Sequence, residues 1–298
     1  MRSVQQFLSG LQQGDYLSLA RVLTLVENEL PGSAELLSAM EIDQNIPVIG
    51  ITGPPGAGKS TLVNALINKL SGEQKKVAVL AVDPTSPFNL GSLLGDRVRM
   101  SAHFNKPDVY IRSVATRGSV GGLSAKIIEM ADVLKAANFD YIIVETVGVG
   151  QSEIEIAGLA DVTLVVLVPE GGDEIQHIKS GIMEIADAFI VNKADREGAV
   201  SFANQLKKML HHSPKTVPVF RTVAEKQEGI DEILSWLKTN SKPGNAKKLF
   251  LYTEKAYQLI RNKRMNSITK TELQEAVAER YLDENFNLYQ FVSGYGNK

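Results

Sequence analysis

The chain contains no cysteine. Disulfides, thiolate metal sites and thiol nucleophiles are thereby excluded, and the expectation is a protein of the reducing cytoplasm. Histidine is scarce too: four residues in 298, with His211 and His212 the one adjacent pair. At the end of a helical stretch that pair reads as solvated. Neither a His tract nor a Cys-x-Cys-Cys relay for metal transfer is present. An excess of one charge is also missing. The 32 Lys and Arg against 34 Asp and Glu leave a formal net charge of −2, which supplies no bulk attraction for nucleic acid. No apolar run reaches membrane-spanning length, and "MRSVQQFLSGLQQGDYL" lacks the continuous apolar core of a signal peptide. The expected chain is therefore a globular one with no membrane and no nucleic-acid partner.

The patterning changes twice along the chain. In residues 1–45, Leu8, Leu11, Leu17, Leu19, Val22, Leu23 and Val26 make the apolar face of a helical extension that Pro31–Gly32 interrupts. From Pro47 onward, short β-branched runs alternate with helix-period stretches: "PVIGIT", "KVAVLAV", "VYIRSV", "YIIVET", "VTLVVLV", "AFIVNK" and "VPVFRTV". Nearly continuous apolar strands, each followed by a helix, predict an α/β fold with a mainly parallel sheet covered on both faces. That domain is expected over 46–240. After the polar break "TNSKPGNAKK", residues 241–298 are helical again, with Leu249, Tyr252, Ala256, Leu259 and Ile260 on one face. Those helices carry more apolar surface than one pair can bury alone, which predicts a homodimer through this arm.

Sheets of this kind bind ligands at the carboxyl ends of their strands, and the suggestive residues fall there. After the first run comes Gly53-Pro54-Pro55-Gly56-Ala57-Gly58-Lys59-Ser60-Thr61, with the spacing G-x-x-x-x-G-K-[ST] between a strand and a helix. This is the phosphate loop of a P-loop NTPase. Glycines let backbone N–H groups turn inward around an anion, the helix start adds its positive dipole end, Lys59 reaches the outer phosphates and the Ser60 hydroxyl ligates Mg²⁺. Asp83 ends the second run, Glu145 the fourth, and "NKAD" (Asn192, Lys193, Asp195) the sixth.

"NKAD" fits the N-K-x-D element that reads guanine. The aspartate accepts from N1–H and the exocyclic amine, which adenine does not match, the asparagine amide faces the base edge, and the lysine stem lies along the ring. Charge-assisted hydrogen bonds of ~1.5–3 kcal/mol each suffice to choose between bases. An Asp195 that merely caps the following helix is the competing reading. In "ETVGVGQSE", Glu145 and Gly148 hold the places where many GTPases have an Asp and the Gly that contacts the γ-phosphate. The longer carboxylate can reach Mg²⁺ through a water or orient the attacking water. Asp96, in "DPTSPFNLGSLLGDRVRM", is a further acid, with a solvated surface carboxylate as its rival reading.

These segments, with "GDYLSLARVLTLVEN", "RSVATRGSVGGLS" and "GGDEIQHIKSGIMEIAD", resemble the MeaB/ArgK-type GTPases, accessory proteins of adenosylcobalamin-dependent acyl-CoA mutases. The resemblance covers most of the chain. It implies GTP hydrolysis to GDP and phosphate with Mg²⁺, served by Lys59, Ser60, Asp83, Asp96 and Glu145, with Asn192 and Asp195 reading guanine. It further implies a partner switch at Gly171–Lys179, including Asp173, Glu174 and Lys179, a C-terminal dimerisation arm, and GTP-gated loading and reactivation of the cofactor of a mutase, by default methylmalonyl-CoA mutase. The base-side loop departs from the usual Ser-Ala: here it is "TVAEKQEGI", with Val223–Ala224. Two rival functions are a nickel or cobalt metallochaperone GTPase, which needs the metal relay this chain lacks, and an ATP-dependent kinase linked to amino-acid transport, which "NKAD" opposes.

Overall fold

Seven runs of apolar sequence become seven strands: β1 (Val48–Thr52), β2 (Val77–Asp83), β3 (Val109–Ala115), β4 (Tyr141–Glu145), β5 (Val162–Leu167), β6 (Ala188–Val191) and β7 (Val219–Arg221). The computed structural model describes residues 3–83, 100–115, 126–146, 152–170, 182–211, 216–241, 246–265, 268–281 and 286–295. The strands form one sheet in the order β3-β2-β4-β1-β5-β6-β7, and every pairing is parallel. β1 lies at the centre, between β4 and β5, where the chain leaves for β2 on one side and later returns through β5 on the other. A loop following β1 therefore opens at the crevice where such sheets hold ligands. Every residue of β1, β5 and β6 is buried, as a sheet covered on both faces requires.

The run "VPVFRTV" yields a strand of only three residues. Pro218 has no N–H to give a ladder, and after Arg221 the chain turns into a tight loop closed by a Val223–Glu228 bridge.

The described helices are α1 (Val4–Gln12), α2 (Tyr16–Glu27), α3 (Ser33–Ala39), α4 (Lys59–Gly72), α5 (Ile127–Lys135), α6 (Ser152–Leu159), α7 (Ile182–Ile185), α8 (Ala199–Leu210), α9 (Ile230–Asn240), α10 (Ala246–Arg264), α11 (Lys270–Tyr281) and α12 (Leu288–Tyr295). On one face of the sheet, Leu62, Leu66 and Leu70 of α4 pack with Ile230, Ile233, Leu234 and Leu237 of α9. On the other, Phe202, Leu206 and Leu210 of α8 cover Phe189 and Val191. The N-terminal helices start from side-chain caps: Ser3 and Gln6 close a capping box on α1, and Asp15 caps α2. Their apolar face buries Leu11, Leu19, Val22, Leu23 and Val26, while Leu17 points to solvent. No described helix is long and apolar enough to cross a membrane.

Two compact units result, Met1–Leu249 and Phe250–Lys298. In the second, Phe291 is buried among Phe286, Tyr295 and the guanidinium of Arg280, whereas Leu259, Ile260, Tyr281 and Leu288 are exposed.

The strand starts, at the end away from the phosphate loop, are fastened by aspartates that precede β4, β5 and β6. Asp140 accepts from Lys76 N–H (2.8 Å), Asp161 from Val48 N–H (2.9 Å) and Asp187 from Thr163 N–H (2.8 Å). Each joins a strand start to its neighbour and so fixes the register between them. Asp161 is fully buried and its second oxygen receives Lys248 Nζ at 2.8 Å.

Lys135 shares this buried corner and donates to Gln44 Oε1 (3.1 Å). Burial, and then the neighbouring Lys248 ammonium, push it down to about 8. A lysine in the unfolded chain titrates near ~10.4. Between about pH 8 and that value the unfolded chain holds the extra proton, so stability rises with pH, and below pH 8 the full penalty of the buried charge is present. Replacing Lys135 by Met should therefore stabilise the protein by about 1–2 kcal/mol at pH 7 and flatten the rise in Tm from pH 8 to pH 10. Thermal unfolding of both proteins across that range checks it.

Candidate functional site

The loop from Gly53 to Ser60 turns sharply back on itself through three glycines with positive φ: 139° at Gly53, 79° at Gly56 and 86° at Gly58. Two of them have no room for a side chain. A methyl group at Gly53 would overlap the Val166 carbonyl of β5, and one at Gly58 would overlap the Asn192 amide. The helix α4 starts directly at Lys59, with Gly58 as its N-cap and no side chain on the cap. Its first N–H groups and its positive end therefore face the loop, the arrangement that binds phosphate.

Four of the loop's carbonyls find side-chain donors from the protein around them. Lys59 Nζ donates to Gly53 O (2.8 Å) and Pro54 O (3.0 Å), Lys193 Nζ to Gly56 O (2.8 Å) and Asn192 Nδ2 to Ala57 O (3.0 Å). Pro55 is exposed at the tip. Lys193 itself has φ 55°, a left-handed conformation outside glycine that swings its stem back over the loop.

Asn192 is buried, and both ends of its amide are engaged by protein. Besides the bond to Ala57, its Oδ1 accepts from Thr222 Oγ1 (3.1 Å) and from Ala224 N–H (3.2 Å). The amide expected to face the base edge also ties the phosphate loop to the base-side loop. The reason is accounting, since a buried Ala57 carbonyl and a buried Ala224 amide both need partners and one amide can serve both.

On the other side of the loop, the Ser60 hydroxyl donates to Glu145 Oε1 at 2.7 Å, with both side chains buried. Ser60 opens α4 and Glu145 ends β4, so the parallel pairing of β1 with β4 brings them together. Beside them Thr146 Oγ1 donates to Thr52 Oγ1 (2.8 Å) and closes the ends of those strands. Asp83 ends β2, opposite Ala115 of β3. Asp96, Gly148, Asp173, Glu174 and Lys179 lie outside the described residues.

A cleft of about 180 Å³ opens beside Gly58 and Thr61, and its far wall is Asn192, Lys193 and Asp195 with Val223 and Ala224. Seven of the residues expected to hold a guanine nucleotide, Gly58, Thr61, Asn192, Lys193, Asp195, Val223 and Ala224, thus line one cavity. Asp195 does not cap α8: that helix begins at Ala199 with Gly198 as N-cap, so the cap-only reading of Asp195 falls. Three residues of this region were not singled out in the sequence. Arg196 and Glu225 also line the cleft, and Lys226 pairs with Asp195 at 3.1 Å. Arg196 turns to an ion pair with Glu170. The hydrogen bond from Lys226 holds the Asp195 carboxyl below the usual range, so the group is an acceptor near neutrality. The signal for all three was only adjacency to "NKAD" or membership of the base-side loop.

Comparison with known proteins agrees with this geometry. Residues 19–281 match the family described as methylmalonyl Co-A mutase-associated GTPase MeaB. The GTPase ArgK of Escherichia coli is 40% identical over 236 residues, spanning 75% of this chain and 71% of its own. A fused isobutyryl-CoA mutase of Geobacillus kaustophilus is 37% identical over 235 residues, which are 73% of this chain and 22% of that longer protein. Among solved structures, a LAO/AO transport system kinase superposes with a TM-score of 0.69 at 28% identity, covering 98% of this chain and 97% of the other.

Replacing Asn192 with alanine would leave the Ala57 carbonyl, the Thr222 hydroxyl and the Ala224 amide without their partner. Each buried group so orphaned costs about 1–3 kcal/mol. The expected outcome is a lower Tm together with a loss of GDP affinity of at least about tenfold. Differential scanning fluorimetry with and without GDP reads both, and an unchanged Tm would show that the tie carries no load.

Proposed function

The chain belongs to the MeaB family of mutase-associated GTPases, and from that premise we propose that its GTP hydrolysis serves as a chaperone cycle for an adenosylcobalamin-dependent acyl-CoA mutase, gating cofactor loading and reactivation. One observation carries this reading: in the Geobacillus kaustophilus relative, sequence similar to most of this chain occurs in one polypeptide named as a mutase. The family description points the same way. Methylmalonyl-CoA mutase is the default partner, and isobutyryl-CoA mutase the one that relative suggests.

In this reading Gly53 to Thr61 hold the phosphates through backbone N–H groups and the start of α4, and Lys59 exchanges its carbonyl partners for phosphate oxygens. The base occupies the 180 Å³ cleft, with Asp195 accepting from guanine and with Lys193, Val223 and Ala224 around it. Magnesium fits the donors present: Ser60 and Glu145 converge as hard oxygen groups 2.7 Å apart, and Asp83 ends the strand next to β4. We assign Ser60, Asp83, Asp96 and Glu145 to hold the ion. When bound it would neutralise charge on the outer phosphates. Glu145 orients the attacking water, a role its position at the end of β4 and its burial support. Gly148 is assigned to the γ-phosphate, and Asp173, Glu174 and Lys179 to a switch that meets the mutase. The exposed Leu259, Ile260, Tyr281 and Leu288 support a homodimer through the second unit.

Glu145→Gln keeps the volume and an acceptor for Ser60 but removes the charge. It should lower kcat about 10²-fold while GDP and GTP affinities stay within about threefold. Equal losses of rate and affinity would mark Glu145 as structural. The function itself is tested by GTP turnover with and without an adenosylcobalamin-dependent acyl-CoA mutase. The expected outcome is stimulation by the mutase, lost in Lys179→Ala, with cofactor content of the mutase rising in the presence of GTP. Absence of both stimulation and any change in cobalamin content would leave a GTPase without this role.

A further inference from the structure

Asp195 sits at the rim of the cleft in the turn after β6, where its own backbone N–H also bonds its carboxylate. The one group the structure places on its carboxylate from another element is Lys226, whose Nζ lies 3.1 Å from Oδ2. Arg196, its chain neighbour, is engaged by Glu170.

Lys226 is carried by a loop with little freedom. Val223 and Glu228 bond each other's backbone in both directions, Lys226 N–H donates to Val223 O at 2.9 Å, and Gln227 holds φ 58°. Ala224 N–H is anchored on the buried Asn192, and Ala194 N–H donates to Thr222 O at 2.9 Å, which ties this loop to the Asp195 turn. The ammonium therefore approaches Asp195 from a platform fixed to the same asparagine that fixes the phosphate loop.

A carboxylate offers about four lone-pair sites, and Lys226 takes one on Oδ2. At least one site on each oxygen remains for the N1–H and exocyclic amine of guanine. Ion pair and base are thus compatible, and the pair restrains rotation of the carboxylate about its last torsion.

We propose that Lys226 is a positioning residue for nucleotide recognition, holding the Asp195 carboxylate so that both oxygens face the donor edge of guanine. The proposal rests on the guanine reading of the site and deepens it. The lowered proton affinity of Asp195 agrees, since Lys226 is its first cause. Both side chains are about half exposed, 58% for Lys226 and 44% for Asp195, which limits the effect to that of a surface pair and makes it sensitive to salt.

The test uses the full chain and titration calorimetry with GDP, with inosine diphosphate, which lacks the exocyclic amine, and with ADP. Lys226→Ala should weaken GDP about threefold to fivefold at low salt. Inosine diphosphate, which needs one oxygen and not two, should weaken less, so that the preference for GDP over it falls. Lys226→Arg should restore both. In Asp195→Asn, whose preference moves from GDP to xanthosine diphosphate, adding Lys226→Ala should change neither affinity. The proposal is overturned if Lys226→Ala binds GDP as tightly as the wild type or more tightly, if both nucleotides weaken equally, or if the effect persists without the Asp195 carboxylate. A wild type that binds ADP as well as GDP would instead defeat the guanine reading beneath it.

Discussion

Backbone amides that converge on an anion turn the carbonyls between them the other way, and each of those carbonyls needs a donor. In this structure three side chains meet that demand at four carbonyls: Lys59 for Gly53 and Pro54, Lys193 for Gly56, and Asn192 for Ala57. Two of the three come from "NKAD", at the end of a strand two places away in the sheet. The element associated with choosing the base is thus also what keeps the phosphate loop in shape. Gly58 shows how close the fit is, since its missing side chain is the space the Asn192 amide fills.

The sheet places these parts with little help from the loops themselves. β1 lies between β4 and β5, so the loop after β1 meets Glu145 from one neighbour and backs onto Val166 of the other. Strands apolar on both faces lack the in-and-out alternation that fixes register in half-exposed sheets. Asp140, Asp161 and Asp187 fix it at the strand starts, with bonds of 2.8–2.9 Å to the neighbouring strand. One end of the sheet is therefore fastened by carboxylates, and the other is free to hold a ligand.

Much of this was legible in the sequence. Nearly continuous apolar runs announced all seven strands, and the glycine spacing announced the phosphate loop, because both signals are local. "VPVFRTV" overstated its strand because Pro218 accepts from Phe189 N–H but has no N–H of its own to give the ladder. Strand order was not legible, since β1 pairs with segments about a hundred residues further on. Nor was the tie made by Asn192, whose partner Ala57 is 135 residues away. Lys226 and Arg196 went unremarked for the same reason: each acts on a carboxylate of another turn, and only the fold brings them together. Asp195 as a helix cap was a sound local reading that Gly198 pre-empted.

The aspartate at the start of β5 has a consequence for how the chain is made. Asp161 bonds the first amide of β1 and is neutralised by Lys248. A polypeptide emerging from the ribosome offers β1 first, its clasp about a hundred residues later, and the cation for that clasp about ninety residues after that. Until Lys248 is out, the ammonium at that corner is Lys135, already disfavoured by its burial. The nucleotide-binding unit is thus completed by nearly its last residue. A nascent chain halted at 240 would hold the whole sheet and still carry an uncompensated buried carboxylate beneath its central strand.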